Sequence, residues 1–343
     1  KKLTYFQLNN YANSVGEKLR EVGVLPSDFV PIIAERSAEM IIAILGILKS
    51  GAAYVPIDPD FPEERIQYII NDCFAKVALV YKSNVKLDIP QIDLINIEEK
   101  VTANLSIVNN VSDPIYCIYT SGTTGKPKGV VVQNVGINNL TKALGNTYNI
   151  NKNDNILQFA TIAFDSSVWE IFMALLNGCT LCVASRKERY DVNSLRAFIL
   201  KNKINIMLLP PQLLANFKNC PDMKLILSAG SVATPEIIKN VPKNTTYINE
   251  YGPTEGVVCS TYWKYDRNSL LPHNIPIGKP IDNKKIYIMN ENSICGIGIP
   301  GELCVEGIGL AKEYLNNKKL TSEKFVINPY SSNMLYKTGD IAR

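Results

Sequence analysis

Short apolar runs rich in β-branched residues recur along this chain, separated by longer helical stretches, and this alternation is what most restricts its fold. Phe29-Val30-Pro31-Ile32-Ile33 reads as a buried strand, Ser37 to Lys49 as a helix, and Ala53-Tyr54-Val55-Pro56-Ile57-Asp58 as a second strand. The same kind of run returns at 76–80, 180–184, 206–209 and 225–227. Strands this short and this apolar are covered on both faces, so the pattern predicts a mostly parallel, helix-covered α/β sheet. Ahead of them, LTYFQLNNYANSVGEKLREVGV carries a capping threonine, apolar residues at helical spacing and Gly23 near its end, and reads as an amphipathic helix. From about Trp263 the character changes to alternating strands with glycine turns, as in Lys285 to Met289 and Gly301 to Val305, which predicts a small antiparallel sheet or barrel.

Composition narrows the function classes. Hydrophobic residues make up 46% of the 343 and charged residues 20%, which suits a large folded core. Lys plus Arg number 36 against 32 for Asp plus Glu, a net +4 with no long basic block, which is a weak argument for nucleic acid and none for a membrane, and neither partner is expected. Met40 to Leu48 is too short to span a bilayer. The opening residues do not read as a secretory leader, and cysteines such as Cys117, Cys182 and Cys304 sit in apolar runs, so reduced thiols and a cytoplasmic location are expected. Cys179 and Cys182 have redox or zinc spacing, but the sequence holds a single histidine, His273, and no second paired-cysteine motif.

Chemistry concentrates in YCIYTSGTTGKPKG, residues 116–129. Gly122, Gly125 and Gly129 let backbone amides turn toward a ligand. Thr120, Ser121, Thr123 and Thr124 add hydroxyls, and Lys126 and Lys128 add charge. Together they suit a polyphosphate. The spacing is not that of a Walker loop. A plain hairpin connection would need the glycines and threonines but not two lysines and four hydroxyls.

YTSGTTGKPKG resembles the core signature of adenylate-forming enzymes. LTYFQL, LKSGAAYVPID from Leu48, FDSSVWEIF from Phe164, NEYGPTE from Asn249, GELCVEGIGLAKEYL from Gly301 and YKTGD from Tyr336 agree in order with the adenylation domains of nonribosomal peptide synthetases. The resemblance spans nearly the whole chain, and AYVPID points to the peptide-synthetase branch. Asn134 departs from it, standing where the family often carries histidine.

The resemblance implies an α/β fold: the large N-terminal core of an adenylate-forming enzyme, with two helix-covered mostly parallel sheets over about 1–262 and a small distorted β-barrel over 263–343. It implies ATP-dependent activation of an amino acid as aminoacyl-AMP, with Mg²⁺, and transfer to the phosphopantetheine arm of a carrier protein beside condensation domains. The glycine loop would hold the β- and γ-phosphates. Tyr251 would offer a face to adenine, with Asn249 and Gly230 beside the nucleotide, and Asp340 would accept from the ribose hydroxyls. Thr254 would meet the α-phosphate, and Glu255 the magnesium. A lid subdomain carrying a catalytic lysine is expected beyond residue 343, and without it the core would adenylate slowly or not at all.

By the same resemblance the amino-acid pocket comprises Asp165, Ser166, Trp169, Leu208, Leu227, Ala229, Glu250, Val258 and Cys259. Asp165 would pair with the substrate's α-ammonium. From the residues alone it also reads as an acid at a helix start, stabilised by the macrodipole. The apolar members also read as ordinary core, and NEYGPTE as a plain Gly-Pro turn. Glu250 is an acid in an apolar setting and calls for a donor. A phenol would satisfy it, which favours Tyr or Phe as the substrate; a guanidinium or ammonium, from Arg, Lys or ornithine, is the alternative. An acyl- or aryl-CoA ligase and a catalytically silent nucleotide-binding module remain the other readings.

Overall fold

The computed structural model describes residues 1–100, 102–121 and 125–343. The chain divides into two compact units. The first holds residues 1–134 with 161–163 and 312–316, and the second holds 135–160, 164–311 and 317–343.

In the first unit the expected opening helix runs Tyr5–Glu21, and Thr4 caps it with a capping box closed by Gln7. Helix Ala38–Ser50 starts at Ser37, whose hydroxyl accepts from the Met40 amide. A Cβ at Gly46 would come within 2.4 Å of the Val15 side chain, so the glycine lets these two helices pack against each other. The sheet carries seven strands in the order Glu313–Tyr314, Lys128–Gln133, Pro114–Thr120, Ala53–Ile57, Phe29–Ala34, Ala78–Tyr81, Gln91–Asp93. Its last five strands are parallel to their neighbours. Pro114–Thr120 and Lys128–Gln133 form an antiparallel hairpin in which Thr120 faces Lys128.

The second unit contains two sheets. One has seven strands in the order Lys279–Pro280, Thr261–Lys264, Thr246–Tyr251, Leu225–Ser228, Ile206–Leu209, Asn155–Gln158, Thr180–Val183, again parallel over its last five. Trp263 therefore lies in this sheet's antiparallel extension, paired with Asn249. The other sheet is antiparallel throughout: Ser293–Ile294, Lys284–Asn290, Gly301–Gly307, Met334–Ala342 and Phe325–Ile327, with a register shift between Glu302 and Cys304. Two helix-packed, parallel-rich sheets and a curled antiparallel one are the fold class the sequence implied. Each apolar strand run quoted above is a strand here, because buried β-branched runs leave few other ways to pair their backbone groups. Among the described residues no helix is long and apolar enough to cross a membrane.

Candidate active site

The hairpin of the first unit presents the ends of the glycine loop. Thr120 is partly buried and its hydroxyl has no hydrogen-bond partner among the described residues, while Ser121, Gly125 and Lys126 are exposed. Lys128 does not point freely into solvent: its ammonium donates to the Tyr314 hydroxyl at 3.2 Å and sits 4.4 Å from that ring's centre. Gly122, Thr123 and Thr124, also expected to hold phosphate, lie outside the described residues.

In the second unit Asp165 stands at the start of helix Ser166–Leu176, which places it one turn from Trp169, as the spacing implied. Its carboxylate makes no side-chain cap of the usual kind, although the main chain at Asp165 and at Ser166, the first residue of the helix, favours its charged form. It also accepts from the Thr254 hydroxyl, and burial, with the Glu255 charge nearby, holds its pKa up at about 6. The helix start therefore accounts for only part of this acid's surroundings. Ser166 is partly buried beside it.

Strand Thr246–Tyr251 supplies three of the expected residues. The buried Asn249 amide donates to Pro276 O at 2.9 Å and accepts from the Ser228 hydroxyl at 3.1 Å, so the fold already uses both ends of that side chain. Tyr251 donates its hydroxyl to Asp340, joining the residue expected at adenine to the one expected at ribose. Gly230 is exposed, with φ +86° and no atom near a Cβ placed on it. Leu208 and Leu227 are buried on neighbouring parallel strands in register, and Ala229 follows them, partly exposed.

Glu250 is 3% exposed, and burial pushes its carboxyl up to about 7. Tyr148, at the end of helix Asn134–Thr147, donates to its Oε1 at 2.7 Å. The Trp169 indole also favours the charged form, but neither Trp169 Nε1 nor Glu250 Oε2 closes a hydrogen bond of normal geometry. One buried carboxylate oxygen is thus left without a well-formed hydrogen bond among the described residues. Tyr262, which pairs with Glu250 across the strands, meets Tyr148 edge-on at 5.9 Å.

Between Tyr251 and Ser260 the chain folds back on itself. The Ser260 amide donates to Tyr251 O at 2.8 Å, and Gly252 lies so close to the returning strand that a Cβ there would stand 2.4 Å from Val258 O. Thr254–Gly256 form a short 3₁₀ turn carrying the partly buried Thr254 and the buried Glu255. Val257 and Val258 follow at φ 54° and 63°. For β-branched residues such angles are strained, costing about 1–3 kcal/mol each. Lys284, 6% exposed, donates to Gly256 O and, at 2.9 Å, to Cys259 O. Val258 and Cys259 are both buried.

The structure thus brings together Asp165 with Thr254, Tyr251 with Asp340, and Glu250 with Tyr148. The sequence analysis missed Tyr148 and Lys284. Tyr148 ends an amphipathic helix and reads as core, and Lys284 begins a strand beside a second lysine, where solvent is the usual destination; neither carries a local signal.

An acid at a helix start, a Gly-Pro turn bearing Thr and Glu, a Tyr–Asp pair and a hairpin ending in Lys128 are each where the sequence implied them for an adenylate-forming ligase domain. The chain belongs to the family described as AMP-binding enzyme, whose profile matches residues 1–315. It is 39% identical to tyrocidine synthase 1 of Brevibacillus parabrevis over its whole length, while spanning 33% of that protein. It aligns with the nonribosomal peptide synthetase FmoA3 in its α-methyl-L-serine-AMP-bound form at a TM-score of 0.93 and 28% identity, covering 100% of this chain and 41% of that one. The N-terminal subdomain of Klebsiella oxytoca NpsA, in complex with 3-hydroxybenzoyl-AMSN, aligns at a TM-score of 0.88 and 26% identity, covering 100% of this chain and 89% of that one. The resemblance to peptide-synthetase adenylation domains is borne out.

Proposed function

We propose that this chain is the core of an adenylation domain that activates an α-amino acid as aminoacyl-AMP, for loading onto the phosphopantetheine arm of a carrier protein within a nonribosomal peptide synthetase. The observation that carries it is Asp165, a buried helix-start carboxylate that the Thr254 hydroxyl and nearby main-chain amides favour in its charged form but that no cation among the described residues offsets. An α-ammonium is the cation it lacks. When the ammonium pairs with Asp165, Thr254 is free to turn its hydroxyl to the α-phosphate. The substrate carboxylate then forms a bond to the α-phosphorus and the bond to pyrophosphate breaks, the electron pair leaving on pyrophosphate. The chain's part is positioning and charge offset. Thr120, Ser121, Gly122, Thr123, Thr124, Gly125, Lys126 and Lys128 would hold the departing phosphates, and Tyr251, Asn249, Gly230 and Asp340 the nucleoside.

Glu255, buried at 5% exposure, would hold Mg²⁺. No trio of metal-ligating side chains gathers among the described residues, and one carboxylate completed by waters and substrate phosphates is the usual site for this ion. When bound, the ion would offset phosphate charge.

The remaining pocket residues, Ser166, Trp169, Leu208, Leu227, Ala229, Val258 and Cys259, would line an apolar cleft whose polar feature is Glu250. Its free Oε2 supports a side chain ending in a hydrogen-bond donor, tyrosine first, with phenylalanine tolerated. A basic side chain is the second reading, favoured by the absence of any cation paired to Glu250 among the described residues. Amino-acid-dependent ATP–pyrophosphate exchange on the full-length protein tests both, with Tyr, Phe, Arg, Lys and Leu, and with benzoate and a fatty acid as controls. Tyrosine is expected to give the highest kcat/KM. Preference for Arg or Lys would make Glu250 a counter-ion, and exchange with the controls alone would overturn the role of Asp165.

A further inference from the structure

The buried Lys284 has no part in the mechanism above, and its surroundings are unusual for an ammonium. It is paired with no carboxylate among the described residues, its two partners are main-chain carbonyls 28 and 25 residues back in the chain, and burial lowers its pKa to about 8. A buried cation answered only by dipoles is costly, and an apolar side chain of equal length would fill the space without that cost. What the carbonyls have in common is their place: Gly256 and Cys259 bracket Val257 and Val258, the two left-handed valines. Strain of this kind persists only where the surroundings impose it. Other contacts hold the ends of the same turn, since Ala311 N donates to Glu255 O at 2.7 Å and Ile281 N to Ser260 O at 3.1 Å, but Lys284 alone of these reaches both carbonyls flanking the valines.

We propose that Lys284 is a positioning residue: by tying the Gly256 and Cys259 carbonyls it keeps Val257 and Val258 left-handed, and thereby aims Thr254 and Glu255 on one side and Val258 and Cys259 on the other. The nucleotide-facing turn and the amino-acid wall are then one mechanical piece, held at its ends by main-chain bonds and at its centre by Lys284. The consequence for catalysis rests on the adenylation reading; the hold on the backbone does not.

The test uses full-length protein carrying Lys284→Met, which keeps the length and removes every donor, and Lys284→Arg, which keeps charge and donors. Each is made alone and combined with Val257→Gly, a residue that accepts positive φ without strain. Two readouts are taken: amide hydrogen exchange of residues 252–261 without ligands, and the separate kcat and KM for the amino acid in pyrophosphate exchange. Lys284→Met is expected to speed those amides by about tenfold or more while strands 206–209 and 225–228 stay protected. It should also raise KM for the amino acid by about tenfold, with Lys284→Arg recovering most of both. In the Val257→Gly background the Lys284→Met effect should shrink several-fold, because the strain to be held is gone. Wild-type protection and KM in Lys284→Met, loosening spread evenly over the sheet, or an equal cost in both backgrounds would overturn the proposal. If wild-type protein exchanges pyrophosphate with no amino acid, the adenylation reading falls, and the amide protection still decides whether Lys284 holds the turn.

Discussion

The hairpin loop at residues 120–128 and the corner around Glu250 both carry charge that the adenylation reading assigns to a ligand, and the described residues handle it in opposite ways. The loop keeps Lys126 in water at the tip of two strands, where an ammonium costs nothing to hold and screening by salt is strong. The corner buries a carboxylate at 3% exposure, gives one of its oxygens to Tyr148 and leaves the other unpaired. Exposed charge suits a group that must grip and then release pyrophosphate. Buried charge suits discrimination, because a partner that fails to satisfy it leaves the full desolvation cost standing.

The largest expected effect comes from removing the other buried-side acid. Asp165→Ala should reduce kcat/KM for the amino acid by about 30- to 5,000-fold, the range for truncating one partner of a desolvated charge pair, read in pyrophosphate exchange. A fall of less than about threefold would mean that the ammonium is held elsewhere.

Tyr148→Phe should come next. It strips the donor that closes a normal hydrogen bond to Glu250 among the described residues and is expected to cost about 1–3 kcal/mol of stability in denaturant melts at pH 8. The pH dependence has a definite sign. Glu250 has its folded-state pKa raised from 4.5 to about 7, so the folded form holds the extra proton between those values and stability falls as pH rises through that window. Asp165, raised from 3.8 to about 6, acts in the same direction over its own window. Glu250→Gln should therefore flatten the melting temperature between pH 5 and 8, relative to wild type, by removing a penalty of up to about 3 kcal/mol. A wild-type profile that rises over this range would break the contrast between loop and corner.

Lys126→Ala should have the smallest effect, weakening ATP use by no more than about tenfold and fading as salt approaches 0.5 M, as expected of a single screened charge. A salt-independent loss would show that the loop is less open than its exposed ends.

The two regions also differ in how far the sequence exposes them. The apolar runs at 29–33, 53–58, 206–209 and 225–227 could be read as strands because a two-sided burial leaves a continuous hydrophobic signature. The glycine loop stood out because it gathers many unusual residues in one short segment. Asp165 and Trp169 were legible as a pair through helical spacing. Tyr148 and Lys284 were not, since each acts on a partner 102 or 25–28 residues away and looks locally like core or like surface. The partnerships of Asp165 with Thr254 and of Tyr251 with Asp340 were hidden for the same reason: motifs name residues, and only the fold decides which of them meet.

Lys284 also bears on the order in which the second unit is completed. Strand Thr246–Tyr251 and the turn that follows leave the ribosome before residue 284 does, and strand Lys284–Asn290 in turn waits for Gly301–Gly307, its antiparallel neighbour. The parallel sheet is made of strands already synthesised by then, so its body can condense while the turn still lacks its fastening. The segment at Val258 and Cys259 therefore cannot receive the Lys284 bond until residue 284 has been made. Recoding that segment for another amino acid means reshaping a stretch whose form depends on residues made later.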